Sequence, residues 1–225
     1  PPHVRAGCTT RLGGVSQGAY ASLNLAQHVA DDPQAVTANR HLLREYLSLP
    51  EEPRWLNQVH GCAVRNDDLA LSEADACLSR HAESVCAVLT ADCLPVLLCD
   101  RAGSVVAAVH AGWRGLVAGI ISKTVAQLAV PAPEVLVWLG PAIGPQAFEV
   151  GTDVRQQFLA RSPELPGPSP PVRSRNGGWI SMRRRASNYS SRMSAQSLAA
   201  SCVLTATARD FIRTGVTVRP GAWRA

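Results

Sequence analysis

The chain has 225 residues, of which 46% are hydrophobic and 17% charged, a composition typical of a globular protein large enough to bury a core. No apolar run reaches the ~18 residues of a membrane-spanning helix, so we expect none. The first residues, PPHVRAGCTT, lack both an initiator methionine and the pattern of a signal peptide. Together with seven cysteines and no CxxC pair, this predicts a cytoplasmic protein with reduced thiols and a trimmed start.

The formal charge of +5 is distributed unevenly along the chain. Residues 161–225 contain eleven arginines against Glu164 and Asp210, whereas the first 160 residues contain eleven basic and fifteen acidic residues. The last quarter is also rich in proline and serine. We therefore predict a globular domain over residues 1–162 and a basic tail over residues 163–225.

Hydrophobic periodicity and turn residues divide the chain into predicted elements. In chain order these are turns and a short strand at 9–29, a helix within 31–49, a strand at 54–61, two strands within 83–100, a strand at 104–110, a helix at 114–128, a buried strand at 134–144 and a helix at 153–161. Residues 181–202 show neither sustained strand alternation nor an amphipathic stripe. Strands and helices alternate irregularly, which predicts an α+β fold.

Three potential metal ligands, His60, Cys93 and His110, each end or interrupt an apolar run beside a glycine or a proline. Strand ends can direct several side chains at one point, and two histidines with one cysteine suit a zinc site that keeps a fourth position open. The alternative, two core histidines and a core cysteine, stays open because no local motif joins the three. The other four histidines lie in polar or loop-like segments.

Two further polar residues adjoin this set. In an extended segment, Asp92 points away from Cys93, which favours a supporting or turn role over a fourth ligand. Arg114 stands where a helix is predicted to begin, and both arginines and helix N-termini favour anions. A surface salt bridge is the alternative for Arg114.

Several segments together resemble the YfiH-like family, long described as laccase-domain polyphenol oxidases. The matching pieces occur in the family's order and cover residues 4–160: TTRLGGVSQGAYASLNL, NR at 39–40, QVHG at 58–61, TADCLPVLL at 90–98, HAGWRGL at 110–116 and GPAIGPQAFEVG at 140–151.

The resemblance implies a single domain of three layers, α/β/β, and a metal held by His60, Cys93 and His110. It implies a zinc-dependent purine nucleoside phosphorylase with adenosine deaminase activity, acting on nucleoside and phosphate, with Cys93, His110 and Asp92 as catalytic residues. Zinc suits hydrolytic loss of ammonia from a purine, and arginines suit a bound phosphate. The positions expected to contact nucleoside or phosphate are Arg11, Asn24, Gln58 and Arg114.

Two other activities stay open. At the level of fold, the resemblance extends to cysteine hydrolases and deamidases, in which Cys93 would be a nucleophile activated by His110. A copper-dependent phenol oxidoreductase is the other, since copper binds such sites tightly. A four-copper oxidase, however, needs more histidine ligands than the six in this chain. The preferred nucleoside, the native metal and the oligomeric state are left open.

The tail departs from the family's ending. Permitted codons for DFIRTGVTVRPGAWRA, read in another frame, can spell a family-like final segment, and WISMRRRASNYS behaves likewise. We therefore hypothesise a frameshift near residues 163–170, with the arginine excess a by-product of GC-rich codons. The alternative is a basic arm that binds nucleic acid, which rests on the tail's charge alone.

Overall fold

The computed structural model describes residues 1–69, 71–144, 147–148, 150–161 and 200–206. The helices are α1 (Pro33–Leu47), α2 (Trp113–Ala118), α3 (Ile120–Leu128) and α4 (Thr152–Arg161). The strands are β1 (Val4–Cys8), β2 (Val64–Arg65), β3 (Ala76–Ser79), β4 (Val85–Thr90), β5 (Leu94–Asp100), β6 (Val106–Ala111), β7 (Val135–Leu139) and β8 (Ala200–Ala206).

The strands form two sheets. The first has three strands in the order β1-β8-β4, and both pairs are antiparallel. The second has five strands in the order β2-β3-β6-β5-β7, in which only the β2–β3 pair is parallel. This mixed arrangement of one domain confirms the predicted α+β fold class.

The sheets stack face to face because their strands are apolar on both sides. Alternate residues of β4 illustrate this: Cys86 and Val88 face the second sheet, whereas Val85, Ala87 and Leu89 pack under Leu43 of α1. The five-stranded sheet turns its other face to α3. The layers are therefore helix, five-stranded sheet and three-stranded sheet, and α1 covers the outer face of the last.

Several predicted elements are confirmed. Helix α1 begins where Asp32 accepts a hydrogen bond from the backbone N–H of Gln34 and Pro33 occupies the first turn, a combination that favours helix starts. The two strands within 83–100 are β4 and β5, the strand at 104–110 is β6, and the helix at 153–161 is α4.

Other predictions are wrong for physical reasons. Residues 54–61 form only isolated bridges at Arg54 and Asn57. The helix predicted at 114–128 is two helices, because Gly119 adopts a left-handed φ of 83° that ends α2. Strand β7 is not buried: it is an edge strand, and Val137 is 55% exposed. Strand β3 was not predicted, because four residues of mostly small or apolar character are too few to show the alternation of a strand.

The region predicted as a tail contributes a strand. We expected none over 181–202, yet β8 begins at Ala200 and pairs with both β1 and β4. Pairing on two sides stabilises a strand whose own sequence does not alternate. The boundary at residue 162 stays a prediction, and the rest of the tail lies outside the described residues. Among the described residues, no helix combines the length and apolarity needed to cross a membrane.

Candidate metal centre

The three potential ligands converge at one end of the five-stranded sheet. Antiparallel pairing of β5 with β6 sets Pro95 opposite His110, so Cys93, just before β5, lies beside the last residues of β6. His60 reaches the same point from a loop, in a left-handed conformation with φ of 59°. One ligand atom from each of the three residues lies within 4.8 Å of the others.

Asp75 holds two of these residues in place. It directly precedes β3, and its backbone carbonyl accepts a hydrogen bond from the N–H of His110 at 2.7 Å. Its carboxylate, which is fully buried, is 2.8 Å from His110 Nδ1 and accepts from the N–H groups of Val59, His60 and Gly61 at 3.2, 2.9 and 2.6 Å. One side chain thus fixes both a ligand ring and the loop that carries another ligand.

The sequence reasoning missed Asp75. The available signal was Asp75 itself, an acidic residue with Ala74 before it and Ala76, Cys77 and Leu78 after it. A carboxylate in such a segment is expected to be buried, and a buried carboxylate needs several hydrogen-bond donors. Nothing in the sequence indicated that its donors would be three successive N–H groups of the His60 loop.

The hydrogen bonds of Asp75 also determine which nitrogen of His110 is free. Burial acts to raise the pKa of Asp75, but the hydrogen bonds from His110 and Gly61 outweigh it, so the pKa lies below its ordinary value. An ionised carboxylate only accepts, so His110 Nδ1 donates and Nε2 keeps its lone pair for a metal.

His60 is likewise available as a ligand. Burial, followed by the neighbouring His110, lowers its pKa below the ordinary value, so the neutral imidazole is favoured at neutral pH. Its ring meets that of His110 edge to face, with centroids 4.8 Å apart. Metals bind the neutral form of histidine.

The Cys93 thiol differs from an activated nucleophile. Burial, then the charge of Asp92 and a hydrogen bond to it, raise the pKa of Cys93 to about 12. The metal-free protein therefore holds a neutral thiol at physiological pH, whereas cysteine nucleophiles depend on a lowered pKa. A coordinated cation reverses this balance because it deprotonates the thiol directly.

Gly112 lies close to two of the potential ligands, and because it has no side chain it leaves the space beside them open. A Cβ atom built at Gly112 would lie 3.0 Å from His60 Cδ2 and 3.1 Å from Cys93 Sγ. The main chain thus borders the ligands without a side chain between them. Two imidazoles and a thiol are also the donors that zinc accepts, so the residues fit a metal ion.

The other residues predicted for the site fall into two groups. Asp92 adjoins Cys93, and Arg114 is near enough for its charge to lower the pKa of His60. Arg114 is exposed, and its guanidinium lies 4.5 Å from the centroid of the Trp113 ring. Both residues therefore border the three ligands.

Arg11, Asn24 and Gln58 instead make structural contacts. Arg11 donates to the carbonyl of Ala21, and Asn24 bonds to Ala26 and Asp31. The amide of Gln58 pairs with Leu89 by donating to its carbonyl and accepting from its N–H, both at 2.8 Å. Their predicted contact with substrate stays a prediction.

A groove among the described residues lies elsewhere. It has a volume of about 630 Å³ and runs along α1, where Arg40, His41 and Arg44 are among the lining residues. It contains none of the three ligands. We place the candidate site at the ligands, because the convergence of donor atoms is chemically specific whereas an open groove is not.

The fold and the site define an α+β protein with one potential metal centre among the residues that the structure describes. The family model described as multi-copper polyphenol oxidoreductase laccase matches residues 5–190, and the chain belongs to this family. The resemblance found in the sequence is thereby confirmed.

Named relatives and a solved structure are similar to this chain as well. The purine nucleoside phosphorylase PA4543 of Pseudomonas aeruginosa is 55% identical over 165 residues, which cover 73% of this chain and 67% of that protein. The purine nucleoside phosphorylase YfiH of Escherichia coli is 52% identical over 163 residues, or 71% and 67%. The crystal structure of the Neisseria meningitidis protein NMB0706 is 38% identical, with a TM-score of 0.77 over 92% of this chain and 96% of that one.

Proposed function

We propose that this chain is a zinc-dependent purine nucleoside phosphorylase that also deaminates adenosine. The observation that carries the proposal is the convergence of His60, Cys93 and His110, two of them held by one buried carboxylate. Support for the reaction comes from relatives more than half identical that are named purine nucleoside phosphorylases.

Zinc is the metal that the donor set favours. Three protein ligands with an open fourth position are typical of catalytic zinc, whereas structural zinc sites have four. The family's description points instead to several copper ions. Among the described residues, which include all six histidines, only one cluster could hold a metal ion, and it contains two of them. This does not supply a multi-copper centre.

The chain's own residues suit the proposed reaction. Zinc in this site would act as a Lewis acid with room for water or substrate. Asp75 keeps the His110 ring in one tautomer and one orientation. Arg114 places an exposed cation beside the ligands, where it can bind phosphate. The raised pKa of Cys93 disfavours the alternative of a metal-free cysteine hydrolase.

We expect the zinc-loaded protein to release base from adenosine or inosine only when phosphate is present, and ammonia from adenosine. Cys93→Ala removes a ligand, so it should lower zinc content and both activities at least 100-fold. Elemental analysis and product chromatography measure the two effects. Cys99→Ala is the matched control, because Cys99 is a buried cysteine of β5 outside the cluster.

Two results would contradict the proposal. One is equal zinc content in wild type and Cys93→Ala. The other is nucleoside turnover that persists unchanged after chelation, which would favour thiol chemistry. Turnover of a phenol by the copper-loaded protein alone would favour the oxidoreductase.

Gly112→Ala tests the space beside the ligands. The new methyl group would press on His60 and Cys93, so we expect zinc affinity to fall at least about 10-fold. Competition with a chromogenic chelator measures this. Gly7→Ala in β1 is the control, because nothing lies within 4 Å of its added Cβ. Equal zinc affinity in both variants would show that the ligands do not need this space.

A further inference from the structure

The chain's only lysine contacts a cysteine beside the candidate metal centre. Lys123 Nζ lies 2.7 Å from Cys62 Sγ. Among the described residues, no carboxylate forms an ion pair with Lys123. Cys62 is partly exposed and Lys123 is exposed, so a small oxidant can reach both atoms.

Both partners are held in place by the backbone around them. The N–H of Gly61 donates to the Asp75 carboxylate, and the N–H of Asp75 donates to the carbonyl of Ala63. Cys62 is therefore fixed on both sides. Lys123 belongs to the first turn of α3, where its N–H donates to Gly119. Hydrogen bonds thus hold the backbone on both sides of the contact, and the Lys123 side chain brings its nitrogen to the sulfur.

We propose that Cys62 and Lys123 form an oxidation-dependent covalent cross-link in which one oxygen atom joins Sγ to Nζ. The oxidant is a peroxide. One peroxide oxidises the thiol to a sulfenic acid, a second oxidises the amine to a hydroxylamine, and each step releases one water. Condensation of the two products forms the S–O–N bridge and releases a third water. Sulfur and nitrogen are oxidised, and the two peroxides are reduced.

The cross-link would tie the loop of His60 to α3. Residue 62 lies two positions after His60, and α3 packs on the sheet that carries His110. Oxidation would therefore restrict the loop that supplies His60, while His110 is held within β6. The pair is therefore a modification site whose cross-link would act on the loop that carries a potential metal ligand.

Tryptic mapping tests the bridge on the full chain, because trypsin cannot cleave at a modified lysine. Without the bridge, Cys62 lies in peptide 55–65 and Lys123 ends peptide 115–123. After hydrogen peroxide treatment we expect peptide 55–65 joined to peptide 115–155, uncleaved at residue 123. Insertion of oxygen with loss of two hydrogens adds about 14 Da to the summed masses. Dithiothreitol added to the digest should break the S–O bond and release peptide 55–65, with its thiol restored, from peptide 115–155.

Cys62→Ser and Lys123→Arg are the controls, since each removes one reacting atom and keeps a polar or cationic group. Neither should give the joined species. Complete cleavage at Lys123 after oxidation, with Cys62 carrying only oxygen atoms, would overturn the proposal. A joined species about 2 Da lighter than its parts would show a direct S–N bond and would overturn the bridging oxygen.

Discussion

Asp75→Asn is expected to remove most zinc binding and to destabilise the fold at the same time. The replacement has nearly the same shape, but its amide nitrogen takes the place of one carboxylate oxygen and cannot accept hydrogen bonds there. Of the four donors to Asp75, either the pair His60 and His110 or the pair Val59 and Gly61 then loses its acceptor. Buried donors without partners should lower the free energy of unfolding by about 3 kcal/mol. Because the His110 ring or the His60 loop loses its fixed position, zinc affinity should fall about 10–100-fold.

Asp100→Asn separates the two effects. Asp100 is also almost fully buried, and its carboxylate accepts from the N–H groups of Ser104 and Val105 and from the Ser104 hydroxyl. It stands at the end of β5 opposite to Cys93, so it should affect stability alone. Urea unfolding and zinc competition measure both quantities in each variant. Equal zinc affinity in the two variants would show that Asp75 does not position the ligands.

Parts of this fold follow from local sequence, and these are the parts that the sequence predicted well. Strands β4, β5 and β6 are nearly continuous apolar runs bounded by turn residues, and α1 has a capping aspartate and a proline at its start. Each of these signals lies within one short stretch of chain. They are strong because packing and local preference agree.

Most of the elements that were predicted wrongly depend on distant partners. The break between α2 and α3 at Gly119 is local. A single glycine in a helical pattern, however, does not by itself predict a residue in the left-handed conformation. Strand β7 is apolar yet lies at a sheet edge, a position set by strand order rather than by its own residues. Residues 54–61 were predicted as a strand, but the conformation of the His60 loop is determined by the buried carboxylate of Asp75.

The candidate site shows the same division. Its three potential ligands could be chosen from sequence, since each stands beside a glycine or proline at the end of an apolar run. Their convergence could not, because it requires the register that sets Pro95 opposite His110. The sequence did not identify Asp75 for a related reason. Its role depends on hydrogen bonds with residues 14 to 16 positions earlier and 35 positions later in the chain.

Strand β8 connects the basic region of the chain to the three-stranded sheet formed with the first 160 residues. It belongs to the basic region, yet its backbone pairs with β1 over five residues and with β4 over six. Without it, both neighbours would present unpaired N–H and C=O groups along one edge. The sheet would also lose its middle, leaving Val4 and Cys8 of β1 without the support that holds them against the core.

A chain ending at Ala199 should therefore be far less stable than one ending at Ala206. The two differ only by β8, so the comparison isolates the strand from the rest of the basic region. We expect thermal unfolding of the shorter chain at a temperature lower by more than about 10 °C, or no cooperative transition, because backbone pairing on two sides is lost. Circular dichroism under identical conditions measures both. Equal melting temperatures would mean that β8 does not stabilise the three-stranded sheet and that the core closes without it.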